Sequence, residues 1–423
     1  MRVLIVNKFY YPRGGDCVCA MSLERLLRER GHQTAVFAMD YPDNIATDFN
    51  QYYAPEVSFS GGIGGKLAAA RRIFGGAGVK AAFARLLSDF KPDVVHFNNI
   101  HSYLSPVIVE MAKKFGAKTV WTMHDYKLVC PSYSCLNGGK VCEQCIEGSK
   151  RGVYSNRCMK GSRAASLLAW LEAEKWNTKR LQRATDTFVC PSEFMASKMK
   201  QGGFDEKKIK VVCNFVDPEK VKDIKVNTER KDYYAYVGRL SAEKGVETLL
   251  KAAVQFQIPL KIAGGGPLAE GLKSRYGRCD NIEFLGHQNA AQVKELLGNA
   301  RFSVMPSECY ENNPLSVIES LCLGTPVVGA RIGGIPELIQ PGSGMLFRSG
   351  SVDSLANNIA AAWESPFDYA AISAQSLPRF SAERYLDSVL EIYQGKKANW
   401  PDLRSRQPVR GSLLSFYAEN ELG

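Results

Sequence analysis

The sequence predicts two α/β domains in tandem, each built around a parallel sheet. Short apolar segments typical of buried strands alternate with helical patterns along most of the chain, and this alternation indicates parallel α/β domains. With 423 residues, the chain is also longer than one ordinary hydrophobic core requires. Its 45% of hydrophobic and 23% of charged residues are typical of a soluble globular protein.

The predicted strands form two series, and the polar, charged stretch 216–232 separates them as an interdomain linker. In the first domain, 1–215, strands are predicted at 3–6, 34–38, 94–97, 119–123, 187–190 and 209–212. In the second domain, 233–380, they are predicted at 234–237, 260–263, 282–285, 302–305 and 326–329. Helices are expected at 17–30, 164–183, 313–323 and within 381–395. The tail 396–423 is expected to be poorly ordered or to lie on a surface.

The excess of positive charge belongs entirely to the first half of the chain. Residues 1–225 carry 34 Lys and Arg and 22 Asp and Glu, a net charge of +12, whereas residues 226–423 carry 20 and 21, a net charge of −1. A basic half can attract nucleic acid, an anionic lipid or an anionic substrate. The sequence contains no arginine-rich tract and no aromatic-interleaved RNA motif, so we expect no nucleic acid partner.

Glycine clusters follow several of the predicted strands. Gly14 and Gly15 come after the first strand, Gly238 follows the strand 234–237, and a cluster centred on Gly265 follows the strand 260–263. Two open α/β domains in tandem place a cleft between the carboxyl ends of their strands, where such sheets bind ligands. Because glycine lets the backbone approach closely and the following helix start favours an anion, these clusters indicate phosphate binding.

Two glutamates, Glu311 and Glu319, flank the start of the helix predicted at 313–323. The unpaired N–H groups of a helix start suit a phosphate, and the two carboxylates can accept hydrogen bonds from the hydroxyls of a sugar and a ribose. Arg239 and Lys244 lie at the mouth of a strand-to-helix turn, where a guanidinium fork and an ammonium suit a diphosphate. Together these residues indicate a nucleotide-sugar site.

With these motifs, the sequence resembles the family 4 glycosyltransferases, which have the two-domain GT-B fold. The resemblance covers nearly the whole chain except the tail, and its motifs occur in the family's order. The matching segments are 13–15, 190–193, 214–217, 238–245, 264–267, 311–319 and 333–337. It implies two Rossmann-like doubly wound domains that face each other across a cleft, the first binding the acceptor and the second the nucleotide-sugar donor.

The resemblance also implies roles for individual residues. Arg239 and Lys244 would bind the donor diphosphate, and Glu311 would hold hydroxyls of the transferred sugar. His124, which ends a predicted strand and precedes Asp125, matches the active-site histidine of the family. The remaining implied donor contacts are Glu319 to the ribose, the loop of Gly14 and Gly15 and the Gly265 cluster to the phosphates, the turn of His287 near the base, and the backbone around Asn313 and Leu315 to the sugar.

Enzymes of this kind retain the anomeric configuration of the donor. The resemblance implies substitution on one face of the sugar, in which a donor phosphate oxygen takes the proton of the acceptor as the sugar–phosphate bond breaks. Positive residues at the departing diphosphate would then stabilise the transition state more than the ground state. The sequence has no Asp-x-Asp motif, in agreement with metal-independent chemistry, so no catalytic cofactor is expected. Glu311 as a nucleophile is the less favoured alternative.

Five of the 12 cysteines crowd into residues 130–158. Similar cysteine-bearing inserts occur in part of the family. The Cys-x-x-Cys spacing is one that a structural zinc site can use, and a cytosolic compartment argues against disulfides. Free or redox-active thiols and an iron–sulfur cluster stay open as alternatives. The predicted zinc ligands are Cys130, Cys142, Cys145 and Cys158, with Cys135 as a substitute.

Residues 64–87 combine basic and apolar residues in a helical pattern. Such a stretch can rest on an anionic membrane and present a lipid-linked saccharide acceptor, or it can be an ordinary packed helix with a basic face. No apolar run approaches the roughly 18–20 residues of a membrane span, so we predict a cytoplasmic protein that is either free or peripheral on the membrane. The basic residues of this stretch are Lys66, Arg71, Arg72, Lys80 and Arg85.

Three other functions are compatible with parts of the pattern. A nucleotide-sugar epimerase shares the fold, but the segment 311–314 resembles the transferases. A dinucleotide dehydrogenase would use Asp40 after the second strand, but the loop of Gly14 and Gly15 lacks the spaced glycine fingerprint. A non-catalytic scaffold would use the cysteine-rich insert for interaction, although intact Arg239 and Glu311 disfavour a decayed site.

Overall fold

The computed structural model describes residues 1–59, 62–222 and 224–396. Within them lie two six-stranded parallel sheets and one short antiparallel hairpin. The predicted tail lies outside the described residues except for Lys396, and the exact domain and linker boundaries stay predictions.

The first sheet contains the six strands predicted for the first half, each within one residue of its expected ends. Its strand order is β2-β1-β3-β4-β7-β8, so the chain starts inside the sheet and extends it in both directions. The hairpin β5–β6 lies in the cysteine-rich insert. The bounds are β1 Arg2–Val6, β2 Gln33–Phe37, β3 Val94–Phe97, β4 Lys118–Thr122, β5 Leu136–Asn137, β6 Lys140–Val141, β7 Thr187–Cys190 and β8 Ile209–Val211.

Helices cover the first sheet and the insert. The helix predicted at 164–183 is wrong as a single element: it is two helices separated at Trp176 and Asn177. The Asn177 side chain accepts a hydrogen bond from Arg180 N and so caps a new helix start. The bounds are α1 Gly15–Glu29, α2 Ile63–Ile73, α3 Val79–Phe90, α4 Val107–Phe115, α5 Gln144–Glu147, α6 Gly152–Ser155, α7 Arg163–Lys175, α8 Thr178–Ala184 and α9 Glu193–Gln201.

The second sheet has the order β11-β10-β9-β12-β13-β14, so its first strand, β9, lies third from one edge, whereas β1 lies second from an edge of the first sheet. Five of its strands were predicted, and β14 was not. Its strands are β9 Tyr234–Val237, β10 Leu260–Ala263, β11 Ile282–Gly286, β12 Ser303–Met305, β13 Val327–Ala330 and β14 Gly344–Phe347. Its helices are α10 Pro218–Val221, α11 Val246–Ala253, α12 Ala269–Tyr276, α13 Ala290–Asn299, α14 Leu315–Cys322, α15 Ile335–Leu338, α16 Val352–Glu364 and α17 Tyr369–Arg379.

The last helix, α18 (Ala382–Tyr393), returns to the first sheet. Its Leu386 and Val389 are buried in one cluster with Val3 and Ile5 of β1. The Tyr393 hydroxyl lies 2.6 Å from Nδ1 of the buried His96 on β3. The core of the first half is therefore completed by the end of the chain, while a separate core fills the second half. The predicted architecture of two Rossmann-like domains is confirmed.

Candidate active site

The predicted site residues collect where the carboxyl ends of the two sheets face each other. The loop after β1 carries Gly14 and Gly15, and a Cβ placed on Gly15 would lie 3.8 Å from Leu315 Cδ1 at the start of α14. The loop of Gly14 and Gly15 in the first half therefore lies close to the start of α14 in the second half.

The segment between β12 and α14, residues 306–314, is fixed to the first half by two asparagines. The Asn312 amide donates to the Met123 carbonyl oxygen at 2.6 Å, and its Oδ1 accepts from Ser192 Oγ at 3.0 Å. Asn313, only 5% exposed, accepts from Asn214 N at 3.0 Å. The side chains of this motif thus join the two halves, a role that the sequence pattern alone did not indicate.

Glu311 directly precedes Asn312 in the chain, and its carboxylate faces the ammonium of Lys244. Lys244 Nζ lies 2.5 Å from Glu311 Oε1, which also accepts from Ser307 Oγ at 2.7 Å. Burial lowers the pKa of Lys244, but the charge and hydrogen bond of Glu311, with smaller contributions from Cys309 and Glu243, raise it overall, so this ammonium stays charged at neutral pH. The two residues form a partly buried ion pair at the predicted sugar and diphosphate positions.

Glu319 occupies the middle of α14 and pairs with a residue that the sequence analysis missed. Lys220 Nζ of α10 lies 2.5 Å from Glu319 Oε1. Lys220 belongs to the charged stretch interpreted as a linker, where no pattern distinguishes it from its neighbours. A ribose hydroxyl would therefore meet a carboxylate that is already held by an ammonium.

Two glycine loops of the second half lie back to back. A Cβ on Gly264 (φ 140°) would lie 1.9 Å from the Gly238 carbonyl oxygen, so glycine is needed there for packing. Gly265 is exposed with open space beside it. The exposed Arg239 side chain has no ion pair among the described residues, and His287 is exposed at the end of β11. These three positions are open to a ligand.

His124 follows β4 and is oriented by Asn98. Its Nε2 lies 2.9 Å from Asn98 Oδ1, and the Asn98 amide donates to the Val6 carbonyl oxygen. Oδ1 is therefore the acceptor, which assigns the proton to Nε2 and leaves Nδ1 as an acceptor. Burial lowers the pKa of His124 to about 4, so the ring is neutral at pH 7.

Two carboxylates, those of Asp125 and Asp16, have different roles near His124. Asp125 accepts from Lys127 N at 2.9 Å and from the Asn99 amide at 3.3 Å, so it stabilises its own turn. Asp16, in the first turn of α1, instead has an electrostatic interaction with His124, and Lys8 and His124 lower its pKa despite burial. Sequence reasoning missed Asp16, although its position directly after Gly15 was a usable signal.

The motif at 333–337 proves to be structural. A Cβ on Gly334 would lie 2.0 Å from the Asn312 carbonyl oxygen, and Gly334 N donates to the Glu311 carbonyl oxygen at 2.7 Å. The Glu337 carboxylate accepts from the backbone N–H groups of Glu193 and Phe194 at 2.8 and 2.6 Å, and so caps α9 of the first half. This motif positions Glu311 and joins the two halves.

The cysteines of the insert are all free thiols. The buried Cys130 sulfur is hydrogen-bonded by Cys135, which lowers the pKa of Cys130 to about 6. Burial, followed by the neighbouring Cys130, raises the pKa of Cys145 to about 11. In the part of the chain that the structure describes, no three His, Cys, Asp or Glu side chains are grouped so as to hold a metal ion. Zinc binding stays a prediction.

The basic stretch 64–87 forms α2 and α3. Arg72 is fully buried and donates hydrogen bonds to the carbonyl oxygens of Tyr103, Pro55 and Ala77. The prediction that Arg72 belongs to a basic surface is therefore wrong. Leu67 is 53% exposed. No helix in residues 1–59, 62–222 and 224–396 is long and apolar enough to cross a membrane. The other four basic residues, Lys66, Arg71, Lys80 and Arg85, are exposed.

Two family models together match most of the chain. The model described as Glycosyltransferase Family 4 matches residues 13–220, and the model described as Glycosyl transferases group 1 matches residues 217–377. The chain belongs to the family 4 glycosyltransferases, and its fold is GT-B. Its assignment to a subgroup with a cysteine-rich insert stays a prediction.

Individual proteins agree with this assignment. An uncharacterized 42.6 kDa protein of the Klebsiella pneumoniae cps region is 25% identical over 93% of this chain and all of its own length. The O-antigen biosynthesis glycosyltransferase WbnH of Escherichia coli is 28% identical over 51% of this chain, which spans 62% of that relative. The structure of Anabaena HepE with UDP and glucose has a TM-score of 0.62 and 17% identity, covering 93% of this chain and 100% of HepE. At that identity the likeness shows the fold alone.

Proposed function

We propose that this chain is a retaining glycosyltransferase that moves a sugar from a nucleotide-sugar donor to a saccharide acceptor, in the synthesis of a surface polysaccharide or glycoconjugate. The observation that carries the proposal is the Lys244–Glu311 ion pair just before α14, together with the exposed Arg239 in the loop after β9. The names of relatives support it: HepE is described with UDP and glucose, WbnH with O-antigen biosynthesis, and the Klebsiella protein with a cps region.

The charges of the site fit a diphosphate and a sugar side by side. A diphosphate entering between Arg239 and Lys244 would attract both cations and would compete with Glu311 for the Lys244 ammonium. Glu311 would then be freed to accept hydrogen bonds from sugar hydroxyls, at a position fixed by Ser307 and the two asparagines. The neutral His124, on the opposite side of the cleft, can accept a hydrogen bond at Nδ1 from a further hydroxyl.

In the proposed step, a bond forms between the acceptor oxygen and the anomeric carbon on the face from which the diphosphate departs. The sugar–phosphate bond breaks, and the acceptor proton passes to a phosphate oxygen of the leaving group. Negative charge grows on the diphosphate, where Arg239 and Lys244 stabilise it. Glu311 as a nucleophile stays the less favoured alternative, because its position beside the backbone N–H groups at the start of α14 suits an acceptor of sugar hydroxyls better.

The acceptor is proposed to be lipid-linked, with the protein peripheral on the cytoplasmic membrane face. The net charge of +12 on residues 1–225 and the exposed basic residues of α2 and α3 suit an anionic surface. Leu67, exposed between Lys66 and Arg71, would enter the interface.

Melting of the purified chain with UDP, GDP, ADP and dTDP tests the donor site. A nucleotide at about 100 times its dissociation constant stabilises the fold by roughly 2.7 kcal/mol, which is visible as a melting shift. We expect one of the four nucleotides to raise the melting temperature, and Arg239→Ala to abolish this shift. Arg278→Ala, which changes an exposed arginine on the same half, should preserve the shift. Product analysis with the matching sugar nucleotide then separates transfer from epimerisation. No shift with any nucleotide would overturn the proposal in favour of the scaffold.

A further inference from the structure

Tyr310, the residue before Glu311, extends its side chain into the first half of the chain. Its hydroxyl donates to Glu143 Oε1 at 2.6 Å. Its ring packs edge-on against Phe194 at 4.7 Å between centroids and lies 6.0 Å from the ring of Tyr126. Tyr310 is thus enclosed by groups from the loop after β4, from α9 and from the cysteine-rich insert.

Glu143 lies between Cys142 and Cys145, at the start of the short helix α5. Besides Tyr310, its carboxylate binds the ammonium of Lys198, which itself lies over the Phe194 and Tyr310 rings at 5.2 and 5.7 Å. The acceptor of the Tyr310 hydroxyl is therefore one carboxylate of an ion pair with Lys198. A charged acceptor makes the bond from the Tyr310 hydroxyl a strong one.

The residue after Glu311 is also bound to the first half. The Asn312 amide donates to the carbonyl oxygen of Met123, the neighbour of His124, while Tyr126 lies two residues beyond His124. Glu311 therefore stands between two residues whose side chains are held beside the His124 turn. The distance between the Glu311 carboxylate and His124 is set by these bonds as much as by the second sheet.

We propose that the cysteine-rich insert positions Glu311 for transfer, with Glu143 as a positioning residue that acts through Tyr310. The proposal deepens the proposed function and rests on it where it invokes transfer. The diphosphate residues Arg239 and Lys244 belong to the second half, so donor binding does not need this bond. Sugar transfer does need it, because the reacting groups come from both halves and a displacement of about 1 Å can cost about 100-fold in rate.

Three variants separate the parts of the contact. Tyr310→Phe removes only the hydroxyl, Glu143→Ala removes the acceptor, and Glu143→Gln keeps an acceptor oxygen without the charge. We expect kcat to fall about tenfold or more in the first two and less in Glu143→Gln, with the dissociation constant of the active nucleotide within about twofold of wild type. Glu143→Ala combined with Tyr310→Phe should be no slower than the slower single variant, because both remove one bond.

Hydrogen exchange of the backbone amides in 306–314 gives a readout that needs no activity. Exchange should be faster in Tyr310→Phe and Glu143→Ala than in wild type, whereas Glu147→Ala, an exposed glutamate of α5, should leave exchange and kcat unchanged. Wild-type exchange in both variants, unchanged kcat, or additive losses in the double variant would overturn the proposal. If the wild-type chain transfers no sugar, the proposed function fails, and exchange alone decides whether Glu143 positions this segment.

Discussion

Lys244 Nζ and Glu311 Oε1 lie 2.5 Å apart, so the residue expected to bind the donor diphosphate is paired with the residue expected to bind the transferred sugar. The Glu311 side chain is 12% exposed and that of Lys244 is 28% exposed. A carboxylate this buried depends on its partner, because an unpaired buried charge is costly. The pair therefore keeps the site charge-balanced and shaped for a diphosphate and a sugar.

Lys244→Met should both stop transfer and destabilise the fold, by about 1–3 kcal/mol, since it leaves Glu311 buried without its cation. Glu311→Gln should also stop transfer but cost less stability. The double variant should be more stable than Lys244→Met alone while staying inactive, which urea unfolding and a transfer assay would show together. Additive losses of stability would contradict the account of the pair.

Stability should fall as pH decreases from about 7 to 5, because three histidines are neutral in the folded chain: the buried His96 and the half-buried His101 and His124. Burial lowers the pKa of His96 to about 3 and of His124 to about 4, and it places the pKa of His101 well below the ordinary value. The unfolded chain binds these protons below the ordinary histidine pKa of 6.5, whereas the folded chain does not bind them until the pH reaches the lowered pKa values. The stabilisation is therefore present above that ordinary pKa and is lost as the pH falls below it. Each histidine contributes a slope of about 1.4 kcal/mol per pH unit.

Urea unfolding at several pH values checks this slope. His96→Gln should reduce the slope by the contribution of one proton, about 1.4 kcal/mol per pH unit, whereas His287→Gln, at an exposed position, should leave the slope unchanged. An unchanged slope in His96→Gln would show that this ring is protonated in the folded chain. Because His124 stays neutral, transfer should also show no inflection from it near its ordinary pKa.

Binding to anionic vesicles should depend on the exposed basic residues of α2. Lys66→Glu combined with Arg71→Glu should weaken binding at least about tenfold, and added salt should weaken it in the wild-type chain. Lys273→Glu combined with Arg278→Glu makes the same change of charge on the second half and should have little effect. Equal losses in both pairs would show attraction by net charge without a defined surface, and indifference to vesicle charge would exclude the membrane proposal.

We propose that the insert binds about one zinc ion per chain, which requires its thiols to move together into a tetrahedral set, because the described residues group no three ligating side chains for a metal. Elemental analysis tests this directly, with Cys142→Ser combined with Cys145→Ser as the variant that loses the metal. Cys279→Ser, in the second half, should retain it. A fully folded chain without metal would favour the alternative of free thiols, to which the Cys130–Cys135 hydrogen bond belongs.

The sequence predicts the sheets well because their strands are short, apolar and buried, and this pattern is local. β14 was not predicted because it is a short run that begins at Gly344 and follows a turn-rich segment. The helix start at Asn177 was not predicted because the helical pattern continues on both sides of it. In the second half, Lys244 and Glu311 were proposed as site residues because they belong to compact motifs, and the structure brings these two residues together. Lys220 and Glu143 were missed because they meet Glu319 and Tyr310 only after folding, across 99 and 167 positions of sequence.

The return of α18 to the first sheet has a consequence for biosynthesis. Domains of a growing polypeptide generally fold in order from the amino terminus. Here Val3, Ile5 and His96 pack against Leu386, Val389 and Tyr393, which the ribosome makes only after the whole second half. Apolar surface of the first sheet must therefore stay unpacked until the second half has been synthesised, and a chain cut before residue 382 would expose this surface permanently to chaperones and proteases.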